Sequence, residues 1–266
     1  MKLPKSAIRS RRAGPQSKIP SLIPGFHGVR DTLIQGRIGI REIWIAKGKK
    51  PGRIRDILRI AKEHDIPVFY KEAAELSRLV PDVAHQGIVA VAEDFAYADL
   101  DLIIEESLQK GRHAILIVAD HITDEGNLGA LIRTAAFFRV HGLIIPGDRS
   151  AGVSARILKR SSGGYLHLPI ARVVNIGRTL DLLKKKGLWI IGASGETSTS
   201  IYRFDWGRDL VLVLGNEKRG LSRPARKRCD EIVSIPSSGP VESLNVSVSG
   251  GIILSEIVRQ RGVEKP

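Results

Sequence analysis

The sequence predicts an α/β protein built on a mostly parallel sheet with helices on both faces, preceded by a smaller α/β unit. Three observations carry that prediction. From His113 onward, short aliphatic runs rich in Val and Ile alternate with stretches of helical period, the pattern that builds parallel sheets rather than hairpins. The chain has 266 residues, 42% of them hydrophobic, enough for one large domain or two modest ones and too many for a disordered polypeptide. The runs Leu210–Leu214 and Glu231–Ile235 are too short and too β-branched for helices. Each ends in polar, glycine-bearing residues that suit a ligand better than a core.

Residues 1–20 contain Lys2, Lys5, Arg9, Arg11, Arg12 and Lys18 with no acidic residue, and read as a flexible basic tail able to order on a phosphate backbone. Residues 21–94 form the small unit. GFHGVRDTLIQG gives a turn and a short helix, and EIWIAK a strand. In GRIRDILRIAKEHD, Ile54, Ile57, Leu58 and Ala61 stand at i, i+3, i+4, i+7, the apolar stripe of a helix. PVFYKE and GIVAVAE are strands, and Arg30, Arg37, Lys47, Lys49, Lys50, Arg53 and Arg55 give the unit a basic surface suited to RNA. Residues 95–111 read as a helical connector, acidic at its start as a helix dipole prefers.

Residues 112–266 make the larger unit: HAILIVAD strand, NLGALIRTAAFFRV helix, GLIIPG strand, SARILKRSS and RTLDLLKKKG helices, then LWIIGAS, LVLVLG and EIVSIP strands. A last helix opens at Glu242-Ser243-Leu244-Asn245. Leu244, Val248 and Ile252 on one side and Val246, Ile253 and Ile257 on the other predict burial all round, with Ser247, Ser249, Gly250 and Gly251 allowing close approach.

Composition narrows the partners. Lys and Arg total 42 against 28 acidic residues, a net charge of +14, which calls for a polyanion, most simply RNA or DNA. Aromatic residues are only 5%, so base stacking along an aromatic platform does not dominate. The one cysteine, Cys229, rules out an intrachain disulfide framework, suits a reducing cytoplasm, and reads as a structural thiol. Seven scattered histidines with no HExxH predict no metal site. No apolar run approaches the ~18 residues of a membrane span, so no membrane partner is expected. GxGxxG and GxxxxGK[ST] are both absent, so a nucleotide-like ligand has to be held by backbone groups at several strand ends.

Those ends converge on two stretches. In open α/β sheets ligands gather beyond the carboxyl ends of strands, here Gly215-Asn216-Glu217 and Pro236-Ser237-Ser238-Gly239, with hydroxyl and amide groups at Ser243 and Asn245. The other stretch is Asp120–Val140, at a strand-to-helix junction. Gly126 and Gly129 admit a ligand, Asn127 is placed to cap the helix, and Arg133, set among Leu131, Ile132, Ala135 and Ala136, is expected to be mostly buried and to need an anionic or carbonyl partner.

In these stretches the chain resembles the SpoU (TrmH/RlmB) group of RNA ribose 2'-O-methyltransferases in the SPOUT superfamily. NLGALIRTA (Asn127–Ala135), LVLGNEKRGLS (ending at Ser222) and IPSSGPVESLNVSVSGGI (Ile235–Ile252) match its three motifs in order, and the likeness covers nearly everything from Gly25 to Arg261. GFHGV and HQGIVAVAE are similar to the L30e-like RNA-binding domain of the RlmB branch, which modifies a guanosine of 23S rRNA. The resemblance implies a trefoil knot in the C-terminal SPOUT domain, a homodimer, and S-adenosyl-L-methionine held by Gly215, Ile235 and Leu244. It implies a catalytic set of Asn127, Arg133, Glu217, Ser243 and Asn245. A tRNA target, or a non-catalytic RNA-binding or ribosome-assembly role on the same fold, are the alternatives. The basic tail before Gly25 departs from the family pattern.

Overall fold

Aliphatic runs such as ILIVA and LVLVL have no polar side to turn outward, so they are stable only when covered on both faces. A computed structural model, which describes residues 21–35, 39–49, 51–81, 84–93, 95–109, 113–148, 150–241 and 243–262, sets them at the centre of a six-stranded sheet. The basic tail 1–20, Arg37 and Lys50 lie outside the described residues.

The N-terminal sheet is assembled from β1 (Ser21–Pro24), β2 (Ile40–Ala46), β3 (Val68–Lys71) and β4 (Ile88–Ala92) in the order β1-β4-β2-β3. β4 is antiparallel to both neighbours, whereas β2 and β3 run parallel. α1 (Phe26–Gln35) and α2 (Pro51–Glu63) pack together, with Val29, Ile54, Ile57 and Ala61 in one core with Ile43 and Ile45 of the sheet. The stripe Ile54, Ile57, Ala61 is buried as its spacing requires. The short α3 (Ala73–Leu79) covers part of the other face through Leu76.

α4 (Leu100–Ser107) starts at Asp99, whose carboxylate accepts from the Asp101 and Leu102 N–H groups, and leads into the large sheet. Its strands are β5 (Ile115–Ala119), β6 (Gly142–Pro146), β7 (Ile170–Val173), β8 (Trp189–Ala193), β9 (Leu210–Leu214) and β10 (Glu231–Val233). They lie in the order β10-β8-β9-β5-β6-β7, every pair parallel. Alternate residues of β5 divide between two cores: Ile115, Ile117 and Ala119 face α5 (Glu125–Phe137) and α9 (Val246–Arg261), while Leu116 and Val118 share a core with α4 and α7 (Ile176–Lys185). α6 (Ala155–Arg160) and the tight turn Gly164–Leu166 pack against α5. α8 (Arg223–Arg226) follows β9.

The chain leaves β5 toward β6 and β7, then returns to the opposite flank for β8 before β9 inserts beside β5. The order therefore reverses between β5 and β9, the crevice where open α/β sheets bind ligands. The Thr32 hydroxyl meets the Tyr165 hydroxyl at 3.2 Å, linking α1 to the turn beside α5, and burial pushes the Tyr165 phenol up from its ordinary range.

Two expectations are corrected. The last helix is not covered all round among the described residues: Val248 is about half exposed, as is Leu244 just before it. Its first residue is Val246, with Asn245 as N-cap accepting from the Ser247 N–H, so Ser243 and Leu244 belong to the preceding segment.

Candidate functional site

At the end of β9 the chain turns back on itself. Asn216 and Gly220 exchange both backbone hydrogen bonds, at 3.0 and 2.9 Å, and the Asn216 carboxamide oxygen accepts from the Lys218 and Arg219 N–H groups. Gly215 sits at the neck of this loop, where a Cβ would collide with the backbone of Gly220 and Leu221. Only glycine permits that closure.

From the neighbouring strand end come Asp120 to Asp124 and the start of α5. Asp124 is the N-cap, its carboxylate accepting from the Asn127 N–H at 2.7 Å. Asn127 is thus not the cap its position suggested. It stands in the first turn, and its backbone bond to Asp124 leaves the side chain free to reach outward. Its amide nitrogen donates to Glu217 at 2.8 Å, and its amide oxygen accepts from the Asn245 side chain at 2.7 Å. The Asn245 oxygen in turn holds both the Ser247 N–H and the Ser247 hydroxyl. One hydrogen-bonded chain, Glu217–Asn127–Asn245, therefore joins the three segments that the sequence singled out, all at the carboxyl side of the sheet.

Arg133 does not join that chain within the protomer, and it is exposed rather than buried. Six residues after Asn127, it projects about 240° around α5 and about 9 Å along it. Leu131, Ile132 and Ala135 take the buried faces; Arg133 looks toward the end of α6, where its Nη1 donates to the Ser162 hydroxyl at 3.3 Å. Gly164 approaches so closely that a Cβ there would press on the Arg133 backbone, which fixes the root of the side chain. Arg160 lies along the same face, its guanidinium beside Gly126. Ser243 is exposed, Leu244 half exposed and Ile235 half-buried, so the segment leading into α9 offers apolar and hydroxyl groups outward.

Asp120 belongs to the same strand end, though nothing in the sequence marks it. It is fully buried, with one carboxylate oxygen 2.6 Å from His121 Nδ1 and the other accepting from the Ser222 N–H at 2.7 Å. A single Asp after an apolar strand carries no sequence signal of burial; the signal is the loop that folds over it. Cys229 is placed as a structural thiol: burial pushes it up to about 11, which leaves it protonated and unreactive at neutral pH. Among the described residues, no group of three or more His, Cys, Asp or Glu side chains is placed to hold a metal ion, and no helix is long and apolar enough to cross a membrane.

A parallel sheet whose polar strand ends converge at a reversal of strand order defines an α/β protein with a small-ligand crevice. Comparison with known proteins gives the class a family. Residues 114–255 match the SpoU rRNA Methylase family, and residues 22–98 match the RNA 2'-O ribose methyltransferase substrate binding family. The chain belongs to the SpoU rRNA methylase family, and is an enzyme of the RNA 2'-O-ribose methyltransferase class. It is 38% identical over 240 residues to the 23S rRNA (guanosine-2'-O-)-methyltransferase RlmB of Neisseria meningitidis, covering 90% of this chain and 95% of that one. It is 36% identical over 245 residues to RlmB of Pseudomonas putida, covering 91% and 98%. The solved SpoU methyltransferase AviRb from Streptomyces viridochromogenes superposes with a TM-score of 0.77 at 27% identity, covering 91% of this chain and 90% of AviRb. AviRb in complex with AdoMet superposes with a TM-score of 0.75, also at 27% identity, over 90% of each chain.

Proposed function

We propose that this protein transfers a methyl group from S-adenosyl-L-methionine to the 2'-hydroxyl of a guanosine in 23S rRNA. The observation that carries the reading is the Glu217–Asn127–Asn245 hydrogen-bonded chain at the reversal of strand order. The substrate assignment is supported by the RlmB relatives, whose likeness extends through the substrate-binding match at residues 22–98. A net charge of +14 supplies the long-range attraction to RNA. We further infer an L30e-like RNA-binding domain at residues 21–94, a connector at 95–111, a trefoil-knotted SPOUT domain at 112–266, and a cytoplasmic homodimer.

The residues fit the methyl donor. Gly215 holds a closed loop of backbone groups, and Ile235 and Leu244 present apolar surface that the chain itself leaves partly uncovered. When bound, the donor supplies an electrophilic methyl on a sulfonium. The chain's own residues do the rest. Holding both reactants aligned supplies about 7–11 kcal/mol in favourable cases. Asn127 and Asn245 orient the ribose, Glu217 fixes Asn127, and Ser243 holds the backbone entering α9. A guanidinium has no lone pair to take a proton at neutral pH. Arg133 therefore stabilises negative charge developing on the 2'-oxygen, or steers the adjoining phosphate that accepts the proton.

Because Arg133 faces away from Asn245 within the chain, we assign the completed site to the homodimer, Arg133 coming from one protomer and Asn245 from the other. The half-exposed Leu244 and Val248, and a groove of about 370 Å³ lined by Tyr202, Val248, Gly251, Ile252, Ser255 and Glu256, support a partner surface along α9. The test pairs calorimetry with methylation mapping. The wild type is expected to bind S-adenosyl-L-methionine and to restore one missing ribose methyl in 23S rRNA of cells lacking it, whereas Arg133→Ala binds the donor but restores nothing. Failure of the wild type to bind the donor leaves only a non-catalytic RNA-binding role.

A further inference from the structure

We infer that Asp120 is the positioning residue that holds the Gly215–Ser222 loop in its donor-receiving shape. The inference rests on the reading of Gly215 as part of the methyl-donor site. It begins from burial: Asp120 is 0% exposed, and a carboxylate taken from water persists only if both oxygens are satisfied. Oδ2 is satisfied by one end of the loop, and Oδ1 by the adjacent His121, whose carbonyl holds the other end. Oδ2 accepts from the Ser222 N–H at 2.7 Å, where the loop closes into α8. Oδ1 lies 2.6 Å from His121 Nδ1, and the His121 carbonyl accepts from the Asn216 side chain at 2.9 Å, where the loop opens. Asp120 also donates its own N–H to the Leu214 carbonyl, the last residue of β9. Both ends of the loop, and the strand that feeds it, are thus tied to one carboxylate and its neighbour.

The backbone at His121 supports a functional rather than incidental arrangement. Its φ is +59°, in the left-handed region that a β-carbon disfavours, and such conformations persist where the surroundings over-determine them. What over-determines this one is the tie itself: the left-handed turn swings the imidazole back onto Asp120 while leaving the His121 carbonyl pointed at Asn216. Asp120 touches neither reactant. It acts through Ser222, Asn216 and Gly215.

The test compares Asp120→Ala with Asp120→Asn in the full chain. The amide oxygen of Asn still accepts from Ser222, and its NH2 donates to the His121 ring, so the tie survives without the charge. Asp120→Ala is expected to weaken S-adenosyl-L-methionine binding by about tenfold or more in calorimetry, while Asp120→Asn stays within about threefold. Hydrogen exchange of the wild type supplies a readout independent of any variant: protection of the Ser222 amide should rise when the donor is added. Wild-type donor affinity in Asp120→Ala, or a Ser222 amide indifferent to donor, overturns the inference. A wild type that does not bind the donor at all sinks the assignment of the donor site itself, and the two failures are told apart by that first titration.

Discussion

Asn127 carries two hydrogen bonds that cost the fold little to lose, because its partners Glu217 and Asn245 are both exposed to water. Asn127→Ala should therefore change stability by less than about 0.5 kcal/mol, the ordinary range of a surface substitution, while methylation falls by about two orders of magnitude. Thermal melts beside single-turnover methylation check this; parallel losses in both would make Asn127 a structural residue. The three members of that chain were legible in the sequence because each ends a strand or opens a helix with a polar group that no core requires. Arg133 stands out in the sequence as a candidate, but its exposed setting beside Ser162 does not. Neighbours in sequence are ~100° apart on a helix, so apolar residues on either side of an arginine say nothing about its own burial. Asp120 was not legible at all, since its burial is made by a loop whose Ser222 stands 102 positions later.

At the scale of elements, the central strands could be read from unbroken Val, Ile and Leu, and α2 from its stripe. β1, β7, α3 and α8 could not, being four to seven residues long with no period to detect. The uncovered face of α9 escaped for a different reason: apolar periodicity reports what is buried in the working assembly, not what is buried by the chain alone. What holds α9 at its far end is polar. Arg261 donates to three backbone carbonyls, those of Trp206 and His113 at 2.9 Å and that of Arg208 at 2.5 Å, while Gln260 exchanges hydrogen bonds with Phe204 and Trp206. A lysine reaches one of those carbonyls, not three. Arg261→Ala should cost about 3 kcal/mol by leaving the partly buried Trp206 and Arg208 carbonyls unpaired. That corresponds to a fall in Tm of about 6–12 °C for a protein of this size. Arg261→Lys should recover only part of it, and a full recovery in calorimetric melts would mean that charge, not the three-way geometry, is what matters.

For the molecule as a whole, the question is whether one chain builds a complete site. Asn127 and Asn245 hydrogen-bond within the protomer, yet Arg133 leaves α5 on another side and bonds Ser162. Val248 of α9, and Leu244 just before the helix, are meanwhile exposed on either side of Asn245 in the sequence. A two-fold dimer across that face brings the same surface of the partner to it, and symmetry then makes two equivalent sites. Mixing tests this without a structure of the dimer. Arg133→Ala and Asn245→Ala homodimers are each expected to be inactive. In a heterodimer, one site receives the intact Arg133 of one chain and the intact Asn245 of the other, while the second site lacks both. Random assortment makes half the dimers mixed, each with one working site of two, so co-expressed or co-refolded chains should recover about a quarter of wild-type methylation. If both residues serve within one chain, every site in the mixture stays broken and activity remains at background. Val248→Asp gives the companion measurement by sedimentation: it should shift the protein toward monomer with its melting point nearly unchanged, and should remove the activity recovered by mixing.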